Sequence, residues 1–249
     1  MSTGDLDMER IIKFDAPPSA PDPTRPRPRQ LLGEARGYRD VVRLVFSGSE
    51  LRRQPDISGT AAILIPGWKA PEASMGPLRF FLRRRGCDAR HWGLGVNRGD
   101  PERDSERLVA SVHNLSQELG KPLALIGWSL GGVIAREVAR ECPEAVSQVI
   151  TYGTPVIGGP TFTPAASSYG KDECRRISAK ITELDAASPI SVPLTVIFSR
   201  RDGVVSWPAC IDRSSLQVVH YEVESTHLSM GLDPSVWTLV AQQLARVNI

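Results

Sequence analysis

The sequence predicts an α/β fold: an open, mostly parallel sheet with helices on both faces. Two observations carry this expectation. From Thr60 onward, short apolar runs alternate with segments whose apolar residues recur at helical spacing, the pattern of strand–helix units in a parallel sheet. One run, Leu123 to Ile126, passes through a glycine-flanked serine straight into a helical pattern at Gly132, Val133, Ile134, Val138 and Ala139. Strand, sharp turn and helix then follow with no room for a longer connection.

In chain order, residues 1–29 read as a disordered tail, because Pro17, Pro18, Pro21, Pro23, Pro26 and Pro28 favour extended chain and build no core. Residues 30–46 read as an amphipathic helix with Leu31, Ala35, Tyr38, Val42 and Val45 on one face. Arg36, Arg39 and Arg43 flank the other side. We expect the apolar face to dock on the domain and the arginines to sit in water; the alternative is contact with an anionic lipid surface. Ser47-Gly48-Ser49 breaks the helix, and 30–59 serves as a connector to a domain at 60–249. Thr60–Ile65 is a strand closed by Pro66-Gly67-Trp68. Ala73–Arg84 is a helix, Cys87–Gly93 a strand and Pro101–Leu119 a helix, on which His113 is structural. Val146–Tyr152 is a strand ending at Gly153-Thr154-Pro155. Residues 156–189 are long for a connection and suit a lid, with a polar helix near Arg175–Leu184. Leu194–Ser199 and Leu216–Val223 are strands, and Asp233–Val247 is the closing helix.

Composition narrows the function classes. The 249 residues suit one domain. A net charge of +2, mixed in sign along the chain, gives no basis for nucleic-acid binding. No apolar run is long enough to span a bilayer. Met1–Arg10 lacks the charged and apolar regions of a signal peptide, so a cytoplasmic location is expected if Met1 is the true start. Cys87, Cys142, Cys174 and Cys210 are scattered, without a Cys-x-x-Cys pair, and read as reduced thiols; export would open a Cys174–Cys210 disulfide. His91, His113, His220 and His227 show no metal-ligand spacing, so no metal or cofactor is expected.

The chemistry gathers on four positions that follow strands. Gly127-Trp128-Ser129-Leu130-Gly131 fits Gly-x-Ser-x-Gly in the strand–turn–helix setting of a nucleophile elbow. Such a serine needs a base, and the base needs an orienting acid later in the chain, in the order Ser, Asp or Glu, His. Asp202 follows the strand Leu194–Ser199 and precedes Gly203. His227 follows the strand Leu216–Val223 in Ser225-Thr226-His227-Leu228. Asp212 and His220 are weaker candidates, one in a connection and the other inside a strand. Ligands of open α/β sheets bind beyond the carboxyl ends of the strands, where Trp68, Ser129, Asp202 and His227 all fall.

On these residues the chain resembles the α/β-hydrolase family, in its lipase and esterase branch, from about Thr60 to Val247. The resemblance implies the α/β-hydrolase fold with a reduced sheet of about six strands, since 1–59 offers a tail and a helix in place of the family's early strands. It implies cleavage of carboxylic esters through an acyl-enzyme on Ser129, with His227 as base, Asp202 orienting it, and backbone N–H groups of Trp68 and Leu130 as the oxyanion hole. The expected partner is a small-molecule ester with an apolar acyl group. The alternatives are an acyltransferase or thioesterase with the same residues, or a hydrolase-like binding or membrane-peripheral module without catalysis.

Overall fold

Six segments of the sequence form parallel strands. They are β2 (Ala61–Ile65), β3 (Asp88–His91), β4 (Leu123–Trp128), β5 (Val146–Tyr152), β6 (Leu194–Phe198) and β7 (Val218–Glu222). In the computed structural model, which describes residues 11–247, they join a further strand, β1 (Ile12–Phe14), in a sheet of order β1-β7-β6-β5-β4-β2-β3. Alternation along each strand sends Ile63, Ile65, Leu125 and Val149 to one face and Ala62, Leu64, Ile126 and Ile150 to the other. The first face is covered by α5 (Pro101–Leu119) and α6 (Leu130–Glu141), through Leu108, Val112, Ile134 and Val138. The second is covered by α4 (Gly76–Arg84) and α9 (Pro234–Arg246), through Leu78, Phe81, Val236 and Leu239. Burial on both faces explains why β2, β4 and β6 are almost wholly apolar.

Two expectations for the N-terminal region need correction. Within the stretch expected to be a disordered tail, Ile12–Phe14 forms β1, antiparallel to β7 with Ile12 opposite Glu222 and Phe14 opposite His220. Phe14 packs against Phe198, ring centroids 6.1 Å apart, so this short run has its own apolar anchor. Pro18 and Pro26 are buried, and the intervening chain lies on the domain. The first ten residues of the expected tail lie outside the described residues. The sheet therefore has seven strands among the described residues, one more than expected.

The expected helix at 30–46 is three pieces: α1 (Pro28–Gly33), a 3₁₀ turn (Glu34–Gly37) and α2 (Tyr38–Phe46). After Ser47 the chain resumes helix as α3 (Gly48–Arg53). The orientation of α2 is the reverse of the expected one. Asp40 is buried, and Arg43 and Leu44 are half-buried. Leu31, Tyr38, Val42 and Val45, expected to be covered, are exposed. The reason is polar bonding from the inward side. Asp40 accepts from Ser229 Oγ at 2.6 Å, and Arg43 reaches Asp233 at 3.4 Å and Ser235 at 3.1 Å. Gly37 sits so close to Thr226 and Ser229 that a Cβ there would collide with both.

Residues 156–189 fold over the carboxyl ends of the strands as α7 (Ala166–Tyr169) and α8 (Lys171–Ala187), after a 3₁₀ turn at Gly159–Phe162. Tyr169 Oη donates to Gly99 O at 2.9 Å, and Lys180 and Arg176 pair with Glu102 on α5. Among the described residues, no helix is long and apolar enough to cross a membrane.

Candidate active site

Ser129 sits between β4 and α6 with φ 53° and ψ −121°. An L-residue takes this backbone only under strain, and the surroundings must hold it there. They do so through close packing. A Cβ on Gly131 would run into the carbonyl oxygens of Ile65 and Pro66, and one on Gly127 into the backbone of Gly132. The Ser129 N–H donates to Tyr152 O at 2.9 Å, which ties the turn to β5. Leu130 is the first residue of α6, so its N–H is one of the donors that helix geometry leaves unpaired, at the positive end of the helix dipole.

The β2 loop lies opposite. Gly67 packs on Ser129 and Trp128, and Trp68 lines the same cavity as Ser129. Asn97, fully buried, fixes this loop. Its Nδ2 donates to Pro66 O at 2.8 Å, and its backbone carbonyl accepts from Lys69 N–H at 2.7 Å. Lys69 holds φ 58°, and with Ser129 it is one of two non-glycine residues with positive φ among the described residues.

Asp202 and His227 arrive from the loops after β6 and β7, both nearly fully buried. Their side chains meet at 2.7 Å, His227 Nδ1 to Asp202 Oδ2. The carboxylate can only accept, so Nδ1 carries the proton and Nε2 is left as the basic nitrogen. Asp202 Oδ1 accepts from the N–H groups of Val204 at 2.8 Å and Val205 at 2.6 Å, which fixes the carboxylate. Burial works against charge on His227, but the neighbouring Asp202 carboxylate, and less strongly Glu34, outweigh it and hold its pKa above the ordinary histidine value.

Glu34 was invisible in the sequence and is central to this geometry. Its Oε1 accepts from Gly203 N–H at 2.7 Å and His227 N–H at 3.2 Å, and its Oε2 from Leu228 N–H at 2.9 Å. One carboxylate thus ties the acid loop to the histidine loop. The only local signal was an acid beside two glycines, at Gly33-Glu34-Ala35-Arg36-Gly37. Its partners lie 169 to 194 residues away in sequence.

Ser129, His227, Trp68 and Leu130 share one cavity of about 200 Å³. Its walls are mostly apolar, with Val133, Ile177, Ile181, Val204, Val205 and Leu228 among them. The Trp128 ring lies beside His227, centroids 5.8 Å apart. The weaker candidates are elsewhere. Asp212 is buried in an ion pair with Arg136 and accepts from Ser214 and Ser215. His220 is fully buried and takes a hydrogen bond from the Asp212 N–H at 3.1 Å, and burial lowers its pKa to about 4. His113, on α5, faces Glu144 at 3.7 Å. The four cysteines are buried free thiols. Among the described residues, no three His, Cys, Asp or Glu side chains gather as a metal site.

Comparison with known proteins agrees with this architecture. The model of the alpha/beta hydrolase family matches residues 62–245. A pimeloyl-[acyl-carrier protein] methyl ester esterase of Aliivibrio salmonicida (strain LFI1238) is 35% identical over 102 residues, 39% of this chain. The match spans 37% of that relative's length. Among solved structures, one described under two metagenome-derived lipolytic enzymes, LipS and LipT, superposes with TM-score 0.59 at 16% identity, over 78% of this chain and 96% of the other. The monoacylglycerol lipase of Paleococcus ferrophilus gives 0.55 at 12%, with coverages of 78% and 96%. At such identities the structural likeness speaks for the fold, and the family match covers most of the domain. The chain belongs to the alpha/beta hydrolase family, with esterases and lipases among its relatives.

Proposed function

We propose that the protein is a serine hydrolase that cleaves carboxylic esters through an acyl-enzyme on Ser129. One observation carries the reading: His227, bonded to Asp202 at 2.7 Å, and the strained Ser129 line the same apolar cavity. In the proposed reaction, His227 Nε2 takes the proton from Ser129 Oγ as that oxygen attacks the ester carbonyl. Asp202 keeps the proton on Nδ1 and stabilises the imidazolium that forms. The carbonyl oxygen gains the negative charge, and the N–H groups of Trp68 and Leu130 receive it. The imidazolium then protonates the leaving alkoxide, the C–O bond breaks, and Ser129 is left acylated. Water, deprotonated by His227, releases the acid and restores the serine.

The apolar walls favour an apolar acyl group, since polar groups of substrate would lose water there without partners. The residues that cap the cavity, from 156 to 189, would serve as its lid. A panel of p-nitrophenyl esters and acyl-thioesters tests the reading. Ester turnover that exceeds thioester turnover and vanishes in a folded Ser129→Ala variant is expected. Turnover of thioesters alone would assign the site to thioester chemistry, and full activity of the Ser129→Ala variant would remove the serine from the mechanism.

A further inference from the structure

The α2 helix faces the wrong way for a helix that only packs on its own domain. Tyr38, Val41, Val42, Val45 and Phe46 are 42–80% exposed. At about 100° per residue they fill one arc of roughly 140° on the helix wheel. The inward side carries Asp40 and Arg43, held by Ser229, Asp233 and Ser235. Polar bonds therefore fix the helix, and its apolar arc is left without cover among the described residues. In α1, just before it, Leu32 is 78% exposed.

The rim of this face is basic. Arg29, Arg36 and Arg39 have no ion-pair partner among the described residues, and with Arg200 and Arg201 they line a cavity of about 800 Å³ beside Leu32. The acids on that cavity are already engaged: Asp40 by Ser229, Asp202 by His227, and Glu224 by Arg201. Arg200 is paired with Glu222. The face also runs toward the active-site mouth. Leu228 is 59% exposed, lines the Ser129 cavity, and is held by Glu34 at the start of this same segment.

We propose that the outward face of α1 and α2 docks on the surface of an anionic phospholipid bilayer, with the apolar arc in the acyl region and Arg29, Arg36 and Arg39 on the headgroup phosphates. An apolar arc with a basic rim is the pattern of helices that lie in the interface plane. A two-fold pairing of two copies through this face would set like arginine rims against each other. The idea that docking delivers an apolar ester to the cavity mouth rests on the ester-hydrolase reading; the docking itself does not, and it is read without turnover.

The test is co-sedimentation of the full chain with vesicles of phosphatidylglycerol and phosphatidylcholine, against phosphatidylcholine alone. Binding to the anionic vesicles, weakened at about 1 M salt where the Debye length is about 3 Å, is expected. The Val45→Ser/Phe46→Ser double variant is expected to bind roughly tenfold more weakly or worse. The Arg36→Gln/Arg39→Gln variant is expected to lose the preference for anionic vesicles. Both double variants should keep the parent melting temperature or lie close to it, since the changed side chains are exposed. No sedimentation of the parent protein would overturn the proposal. So would unchanged binding by the Val45→Ser/Phe46→Ser variant, or a parent dimer that this variant turns into a monomer without any vesicle binding.

Discussion

The two sides of the proposed active site are built on different principles. On the Ser129 side, close packing holds the turn: Gly127 lets strand and helix pass at backbone contact, Gly131 lies against the carbonyls of Ile65 and Pro66, Gly132 leaves room for the Thr154 side chain, and Tyr152 takes the serine N–H. On the base side, the loops carrying Asp202 and His227 are held by side chains from far away in sequence, Glu34 above all. Asp40 secures the histidine loop further along, through Ser229. Ser129 is thus positioned by sterics and His227 by hydrogen bonds from an N-terminal clasp. Steric positioning fails together with the fold, whereas a hydrogen-bonded clasp can fail while the fold stands.

That contrast sets the expected effects of substitution. The largest falls on the acid: Asp202→Asn should fold normally and lose roughly ten-thousandfold in kcat, because the amide favours the wrong histidine tautomer. Steady-state kinetics with a p-nitrophenyl ester checks it, and near-parent kcat would break the base side of the account. Next is Gly131→Ala, whose Cβ would press on the backbone carbonyls of Ile65 and Pro66. With no flexible side chain to yield, the expected loss is on the order of 3 kcal/mol of stability, read by urea unfolding. A stable, fully active variant would show that the elbow is looser than described.

Glu34→Ala is the sharper probe of the clasp. It should lower kcat by up to roughly a hundredfold through misplaced loops, with a much smaller change in melting temperature. Glu34→Gln keeps part of the hydrogen bonding and removes the charge, so it should recover much of kcat. The pH profile separates the two contributions. His227 must be neutral to act as base, and its pKa is held above the ordinary histidine value, so activity should fall on the acid side at a pH above about 6.5. Glu34 contributes to that elevation, so Glu34→Gln should move the acid limb to lower pH. A limb that stays in place would leave Glu34 as scaffolding alone. By linkage, the same elevation stabilises the fold fully below the unfolded histidine pKa, and this contribution is lost as pH rises through the folded value.

The same division explains what the sequence made legible. The central strands are readable because burial on two faces leaves apolar runs, as in Leu123–Ile126 and Leu194–Phe198. Ser129, Asp202 and His227 stand out because each follows a strand, in an order that narrows the search. β1 was hidden because three residues of an edge strand, Ile12 to Phe14, carry too little pattern beside a proline-rich stretch. The orientation of α2 was misjudged because amphipathic spacing gives a helix two faces and does not say which one faces the domain. Here the polar bonds of Asp40 and Arg43 decided it. Glu34 and Asn97 were unreadable for a related reason: their roles lie in contacts to distant backbone, which no local spacing encodes.

The proposed reaction stands on Ser129 as the nucleophile. Intact-protein and peptide mass spectrometry after treatment with a fluorophosphonate tests this. The reagent loses fluoride when a serine oxygen activated by a base attacks phosphorus. The expected result is one adduct per chain, mapped to Ser129, absent in Ser129→Ala and strongly slowed in Asp202→Asn. An adduct on another residue, or labelling of Ser129→Ala at the parent rate, would contradict the account.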